Sequence, residues 1–320
     1  MSLPDYAIEA SGLYKTYAAT KTTPAKTALN GIDLKIPRGS IFGLLGPNGA
    51  GKSTFINTLA GLVRKTSGTV KIWDRDIDAQ PRDARACIGV VAQEIVADVF
   101  FTPRESLETQ AGLYGVPKAE RRTAELLAAV GLSEQAEAYV RQLSGGMKRR
   151  LMVAKAMTHN PPVLILDEPT AGVDVELRRQ LWAYVVDLNR NKGVTVVLTT
   201  HYLEEAQELC DTIAIVNRGQ VVACEPTSQL LRRLDTRTVV ITPKTPLATV
   251  PALGAFDGKL RADGALAVTF KTGQAGVEQV LEAVRAAGVG IKDLSTEDPD
   301  LEDVFMSLTY AAQGAAPTDF

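Results

Sequence analysis

Along residues 5–225, short β-branched runs alternate with helical patterns, the arrangement expected of an α/β unit. Ile41–Gly46, Cys87–Gln93, Pro162–Asp167, Val194–Thr200 and Thr212–Val216 read as strands. The run Val163-Leu164-Ile165-Leu166 has no polar face, the pattern of a strand covered on both sides in a parallel central sheet. Ala28–Ile36 instead alternates, with apolar residues at 32, 34 and 36; together with Ser67–Ile77 it predicts a smaller antiparallel sheet. Residues 94–142 carry helical patterns, such as Arg121 to Val130, and little strand signal, so a helical insert is expected there. Leu177, Leu181, Tyr184, Val185 and Leu188 share one helical face and predict a buried stripe.

A second unit is expected to begin between residues 226 and 236 and to form a small α+β domain over 236–310. Thr238–Thr242, Leu266–Phe270 and Val289–Leu294 read as strands, Val277–Ala287 and Leu301–Tyr310 as helices. Leu301, Val304, Phe305 and Leu308 form a last apolar stripe, to be covered by its own domain or by a second copy. Residues 311–320 read as a flexible tail. This unit carries no chemical motif, and dimerisation, regulation and contact with a partner all remain open roles for it.

Composition narrows the partners. With 45% hydrophobic and 22% charged residues, the chain is an ordinary globular protein. A net charge of −2 offers no basic footprint for nucleic acid, and Lys148-Arg149-Arg150 reads as a solvated helix face. Cys87, Cys210 and Cys224 are too scattered for a metal or disulfide pattern and fit a reducing, cytosolic setting. No stretch approaches the 18 or more apolar residues of a membrane span, and the start MSLPDYAIEA lacks a secretory pattern. A membrane role is therefore expected to come through a separate chain.

Gly46-Pro47-Asn48-Gly49-Ala50-Gly51-Lys52-Ser53-Thr54 follows a predicted strand and opens a helix, the setting of a phosphate-binding loop. Its glycines let successive N–H groups point at phosphate oxygens, and the helix dipole adds to the attraction. Lys52 would reach the β- and γ-phosphates, and the Ser53 hydroxyl would ligate Mg²⁺. The strand ending in Asp167-Glu168-Pro169 places two acids together, which is costly without a cation or proton to offset them. Asp167 is therefore the expected Mg²⁺ partner and Glu168 the expected base for an attacking water. In Leu143-Ser144-Gly145-Gly146-Met147, Ser144 is a helix N-cap and the two glycines leave the first N–H groups unshielded. Met147, Leu151, Ala154 and Met157 then fall on one helical stripe.

With these motifs in this order, residues 5–225 resemble the ATP-binding subunit of an ABC transporter. That resemblance implies a P-loop NTPase core with an antiparallel β subdomain and a helical insert. It further implies a homodimer in which Ser144, Gly145 and Gly146 of one copy contact the γ-phosphate of ATP held by the other copy. Gln93 matches the glutamine that senses Mg²⁺ and γ-phosphate, with Ala92 standing where the family usually has proline. His201 matches the histidine that contacts the γ-phosphate, whereas His159 reads as structural. Asp174, in Ala171-Gly172-Val173-Asp174, matches a loop crossing the dimer interface and is also a plausible helix cap. Tyr17 matches the aromatic that stacks on adenine, with Tyr14 as the competing candidate.

The segments LSGGMKRRLMVAKAM, the loop Ala171–Asp174, TTHYLEEA and the ending Leu301-Glu302-Asp303-Val304-Phe305-Met306-Ser307-Leu308 are similar to the drug, lipid and polysaccharide exporter branch of that family. Carried over, this implies ATP hydrolysis at the cytoplasmic face of the plasma membrane, driving a separately encoded permease that reads the substrate. An importer ATPase with a regulatory C-terminal domain, or a soluble ABC ATPase, stands as the alternative.

Overall fold

A computed structural model describes residues 3–20, 24–94, 98–170, 173 and 175–310. The chain divides into two compact units, 1–227 and 228–320.

The first unit begins with β1 (Tyr6–Tyr17), β2 (Lys26–Pro37) and β3 (Ile41–Leu45), then α1 (Lys52–Leu59). β4 (Ser67–Ile72), β5 (Arg75–Asp76), α2 (Pro81–Ala86) and β6 (Ile88–Val91) follow. A helical stretch holds α3 (Pro103–Leu113), α4 (Thr123–Ala129) and α5 (Gly145–Ala156). β7 (Val163–Asp167), α6 (Val175–Lys192), β8 (Thr195–Thr199), α7 (Leu203–Leu209), β9 (Thr212–Asn217) and β10 (Gln220–Pro226) complete it, before α8 (Thr227–Leu231).

Six strands form the central sheet in the order β10-β9-β3-β8-β7-β6. All but the antiparallel edge strand β10 run parallel. β3, β7 and β8 are buried at every position, as strands covered on both faces with apolar centres require. Parallel pairing places the C-terminal ends of β3, β6, β7 and β8 along one edge, where ligands of such sheets collect. The second sheet, β2-β1-β4-β5, is antiparallel, and its inward side chains share one hydrophobic core with β3, α1 and the parallel strands.

Three differences from the sequence reading have simple causes. β1 and β10 pair at sheet edges or across long range, and their mixed patterns do not announce strands. Ser67–Ile77 is not one strand but two, broken at Trp73-Asp74, which take positive φ in a tight turn. The Cys87–Gln93 strand is shorter than expected: β6 stops at Val91, which leaves Gln93 on the segment beyond it. On α6, Leu181, Tyr184, Val185 and Leu188 are buried; the side chain of Leu177 lies outside the described residues.

The second unit pairs β11 (Thr236–Pro243), β12 (Asp257–Leu260), β13 (Leu266–Lys271) and β14 (Ile291–Glu297) in the antiparallel order β12-β13-β11-β14. Val280 and Val284 of α9 (Val277–Ala286) join Val239, Ile241, Val268 and Phe270 in a core of its own. On α10 (Leu301–Tyr310), Leu301 and Val304 are buried within the single chain, and Phe305 is half-buried.

Candidate active site

The loop Gly46–Gly51 joins β3 to α1 and is shaped by backbone that only glycine tolerates. Gly46 has φ 157° and Gly51 φ 114°. A Cβ on Gly46 would lie 2.1 Å from the Val216 carbonyl oxygen, and one on Gly51 2.5 Å from that of Ala28. The loop's base is pinned from outside: Gly219 N donates to Ala50 O (2.8 Å), and Asn30 N donates to Gly219 O (2.8 Å). No side chain caps α1, so its first N–H groups are free to meet an anion. Asn48, Gly49 and Ser53 are exposed, Pro47 and Thr54 half-buried.

Lys52 is buried, and its Nζ donates to Gly46 O (2.5 Å) and Pro47 O (3.3 Å). Burial pulls its pKa down, opposed by the charges of Glu168 and Asp167. The lysine thus faces both acids from the loop.

Asp167 ends β7 and is buried; Thr199, at the end of neighbouring β8, donates its hydroxyl to Asp167 Oδ1 (2.6 Å). Glu168 follows in the left-handed region, φ 51°, with its N–H held by the Thr199 carbonyl (3.1 Å) and hydroxyl (3.0 Å). A glutamate in that conformation stores strain of about 1–3 kcal/mol, which persists only where the surroundings over-determine it. The turn aims its carboxylate at two residues that follow neighbouring strands, Gln93 after β6 and His201 after β8. Gln93 Nε2 donates to Glu168 Oε2 (2.7 Å), and His201 Nε2 lies 2.5 Å from Glu168 Oε1. Gln93, Glu168 and His201 are separated by 75 and 33 positions in the chain and meet only through the order β8-β7-β6.

Ser144 caps α5, its Oγ accepting from Met147 N (3.2 Å). Ser144 and Gly145 are exposed, and a Cβ on Gly145 would meet nothing within 4 Å. Packing inside this chain therefore does not explain that glycine. Among the described residues, no hydrogen bond joins Ser144–Gly146 to Gly46–Thr54. Tyr17 ends β1 with 40% of its surface exposed and Lys15 Nζ 4.7 Å from its ring centre; Tyr14 is equally open. Ala171, Gly172 and Asp174 lie outside the described residues. His159 stacks on Tyr114 (3.6 Å between ring centres) and meets Ile88 O at 3.0 Å, away from the acids.

Three residues of the site escaped the sequence reading. Thr199 orders both acids. Glu205 of α7 accepts from Thr170 (3.0 Å) and Thr200 (2.9 Å), tying the segment after Glu168 to the one before His201. Arg149 corrects an expectation outright: it is not on a solvated face but 4% exposed, and it donates to the carbonyls of Ala92 and Gln93. A signal was present, since Val153 and Ala156 fall at i+4 and i+7 from Arg149 and are buried with it.

Residues 29–171 match the ABC transporter family. The chain is 34% identical over 315 residues to the linearmycin resistance ATP-binding protein of Bacillus subtilis (strain 168), covering 94% of this chain and 98% of that one. It is 34% identical over 306 residues to Nod factor export ATP-binding protein I of Rhizobium sp. (strain N33), covering 95% and 97%. Among solved structures, a dimeric ATP-binding cassette in a post-hydrolysis state with ADP and Pi superposes with a TM-score of 0.62. That match has 28% identity and covers 69% of this chain and 98% of that one. On these likenesses and on the geometry above, this chain belongs to the ABC transporter family, as one of its ATP-binding, ATP-hydrolysing subunits.

Proposed function

We propose that two copies of this chain close head to tail on two ATP molecules and drive a separate membrane permease in export. The observation that carries the catalytic part is the convergence of Gln93 and His201 on the strained Glu168 carboxylate. A carboxylate held from two sides at the end of a parallel strand is oriented to take a proton from an attacking water. The phosphate loop and Lys52 hold the β- and γ-phosphates, and Tyr17 offers a ring for adenine. His201, half-exposed beside Glu168, is placed to meet the γ-phosphate.

The donor set fits Mg²⁺, a hard cation that takes oxygen ligands. Ser53 brings an exposed hydroxyl, Asp167 a buried carboxylate with one oxygen tied to Thr199, and Gln93 its amide oxygen, since its nitrogen is spent on Glu168. When bound, Mg²⁺ would neutralise charge on the phosphates; every other element of the reaction belongs to the chain's own residues.

The open end of α5, with Ser144, Gly145 and Gly146, offers an anion site, and a side chain at Gly145 would meet nothing within 4 Å. Its proposed ligand is the γ-phosphate held by the second copy, and Asp174 belongs to the loop that would cross between copies. Among the described residues no helix is long and apolar enough to cross a membrane. In this reading the permease is a separate chain, and the subunit sits at the membrane's cytoplasmic face through it. Export rather than import rests on relatives named for resistance and export that match nearly the whole length, second unit included.

Glu168→Gln tests the core of this reading. It keeps the shape and the Gln93 contact but removes the base, so turnover should fall by about 10²–10⁴ while ATP affinity stays the same. ATPase at the wild-type rate would show that Glu168 is not the base.

A further inference from the structure

Arg149 stands on α5, five residues beyond the Ser144 cap. Its Nη1 donates to Ala92 O (2.9 Å) and its Nη2 to Gln93 O (2.8 Å). Nε is buried as well and has no hydrogen-bond partner among the described residues. The side chain has thus spent both terminal nitrogens on two successive carbonyls at the end of β6. A planar fork on adjacent acceptors fixes orientation as well as position, which a single bond would not do.

That segment needs such an anchor. β6 ends at Val91, and Ala92, Gln93 and Glu94 are exposed rather than packed. Yet the Gln93 amide must reach across to Glu168, and the 2.7 Å bond between them depends on where the Gln93 backbone stands. The anchor comes from the helix whose exposed end carries Ser144 and Gly145. A helix of 12 residues moves as one body, so any shift at its cap carries Arg149 with it.

Resting on the dimeric reading above, we propose that Arg149 is a positioning residue that ties the Gln93 segment to the Ser144 helix. Through it, engagement of one nucleotide by Ser144 sets the height of Gln93 against Glu168 at the other. The alternative is that Arg149 only packs α5 onto the sheet. Leu151, Val153 and Ala154, all fully buried, already do that. Water can also reach the exposed Ala92–Gln93 segment once the guanidinium is gone, so removing it should disturb the reaction more than the fold.

The test is a double-mutant cycle on the full chain, measuring kcat and KM for ATP alongside thermal unfolding. Arg149→Met should lower kcat by about 10- to 100-fold, the scale on which a misplacement of about 1 Å acts, with KM little changed. Arg149→Lys, whose ammonium can still serve one carbonyl, should recover part of the loss. In a Gln93→Ala background, Arg149→Met should change kcat by less than about twofold, because the group it positions is already gone. An equal loss in both backgrounds, or wild-type kcat in Arg149→Met, overturns the proposal. Should Arg149→Met fail to fold, the same cycle with Arg149→Lys decides: loss only when Gln93 is present supports it, equal loss refutes it. Glu168→Gln run in parallel separates the two readings. Its inactivity beside a fully active Arg149→Met would sink the positioning role alone, whereas full activity of Glu168→Gln would sink the assignment of the base.

Discussion

Lys52 is a buried cation with two carbonyls of its own loop as partners and two carboxylates within electrostatic reach. Its position costs desolvation, which the acids offset in part, and a triphosphate would add the strongest countercharge. Lys52→Ala should therefore weaken nucleotide binding itself. A lost hydrogen bond to a charged group is worth about 1.5–3 kcal/mol, so Kd should rise by about 10- to 100-fold, measurable by titration with a fluorescent ATP analogue. Unchanged affinity would contradict the placement of the lysine. Lys52 and Ser53 were legible in the sequence because the residues that carry the phosphate loop's chemistry lie within nine positions. The backbone that pins its base, at Ala28, Asn30, Val216 and Gly219, comes from elsewhere. Glu168 was expected as the base from its place beside Asp167 after a strand, without any sign of its geometry. What sets it apart from Asp167 is the positive φ and the pair of side chains that reach it, neither of which leaves a mark in the local sequence.

At the scale of elements, α5 is read twice, as a packed helix and as a displayed helix end. Its apolar stripe predicted the first, and Leu151, Ala154 and Met157 are buried. The charged triplet beside it misled, since a run of cations looks solvated until a neighbouring segment supplies carbonyls. The helices of the insert are tied down partly by charge. Glu125 of α4 pairs with Arg122 on its own turn and with Lys192 at the end of α6 (3.0 Å). These cations, Arg122 first, hold the Glu125 carboxyl down at about 2. A depressed carboxylate stabilises the fold above its ordinary range, and that contribution is lost as pH falls through the folded value. Glu125 is half-exposed, so solvent screening limits the contribution to about 0.2–1 kcal/mol. Glu125→Gln should lower Tm slightly at pH 7, and the gap should close between pH 4.5 and about 2. A Tm difference that is the same at pH 7 and at pH 2 would show that the ion pairs do not carry it.

For the whole molecule, the proposed dimer makes each ATP site a product of two chains. A closed twofold pair of this kind presents the same surfaces on both copies, so each site takes its phosphate loop from one and its α5 cap from the other. Mixing Ser144→Arg chains with Lys52→Ala chains tests this directly. Heterodimers would hold one site with both elements intact, and ATPase should return to about a quarter of wild type on random pairing. No gain over either variant alone would count against the trans arrangement. The second unit, with a separate core and with Leu301 and Val304 covered inside one chain, offers less of the last stripe to a second copy than the pattern suggested.

The sequence alone determined the parts whose physics is local: buried parallel strands from unbroken apolar runs, the glycine loop before α1, the serine cap of α5. Only the tertiary structure decided which distant groups meet. The strand order β8-β7-β6 brings His201 and Gln93 to Glu168, and it turns Arg149 from an apparent surface charge into a buried clamp. A charged side chain has no burial of its own; its place is set by the partners that fold around it, and those lie 56 and 57 residues away in the chain.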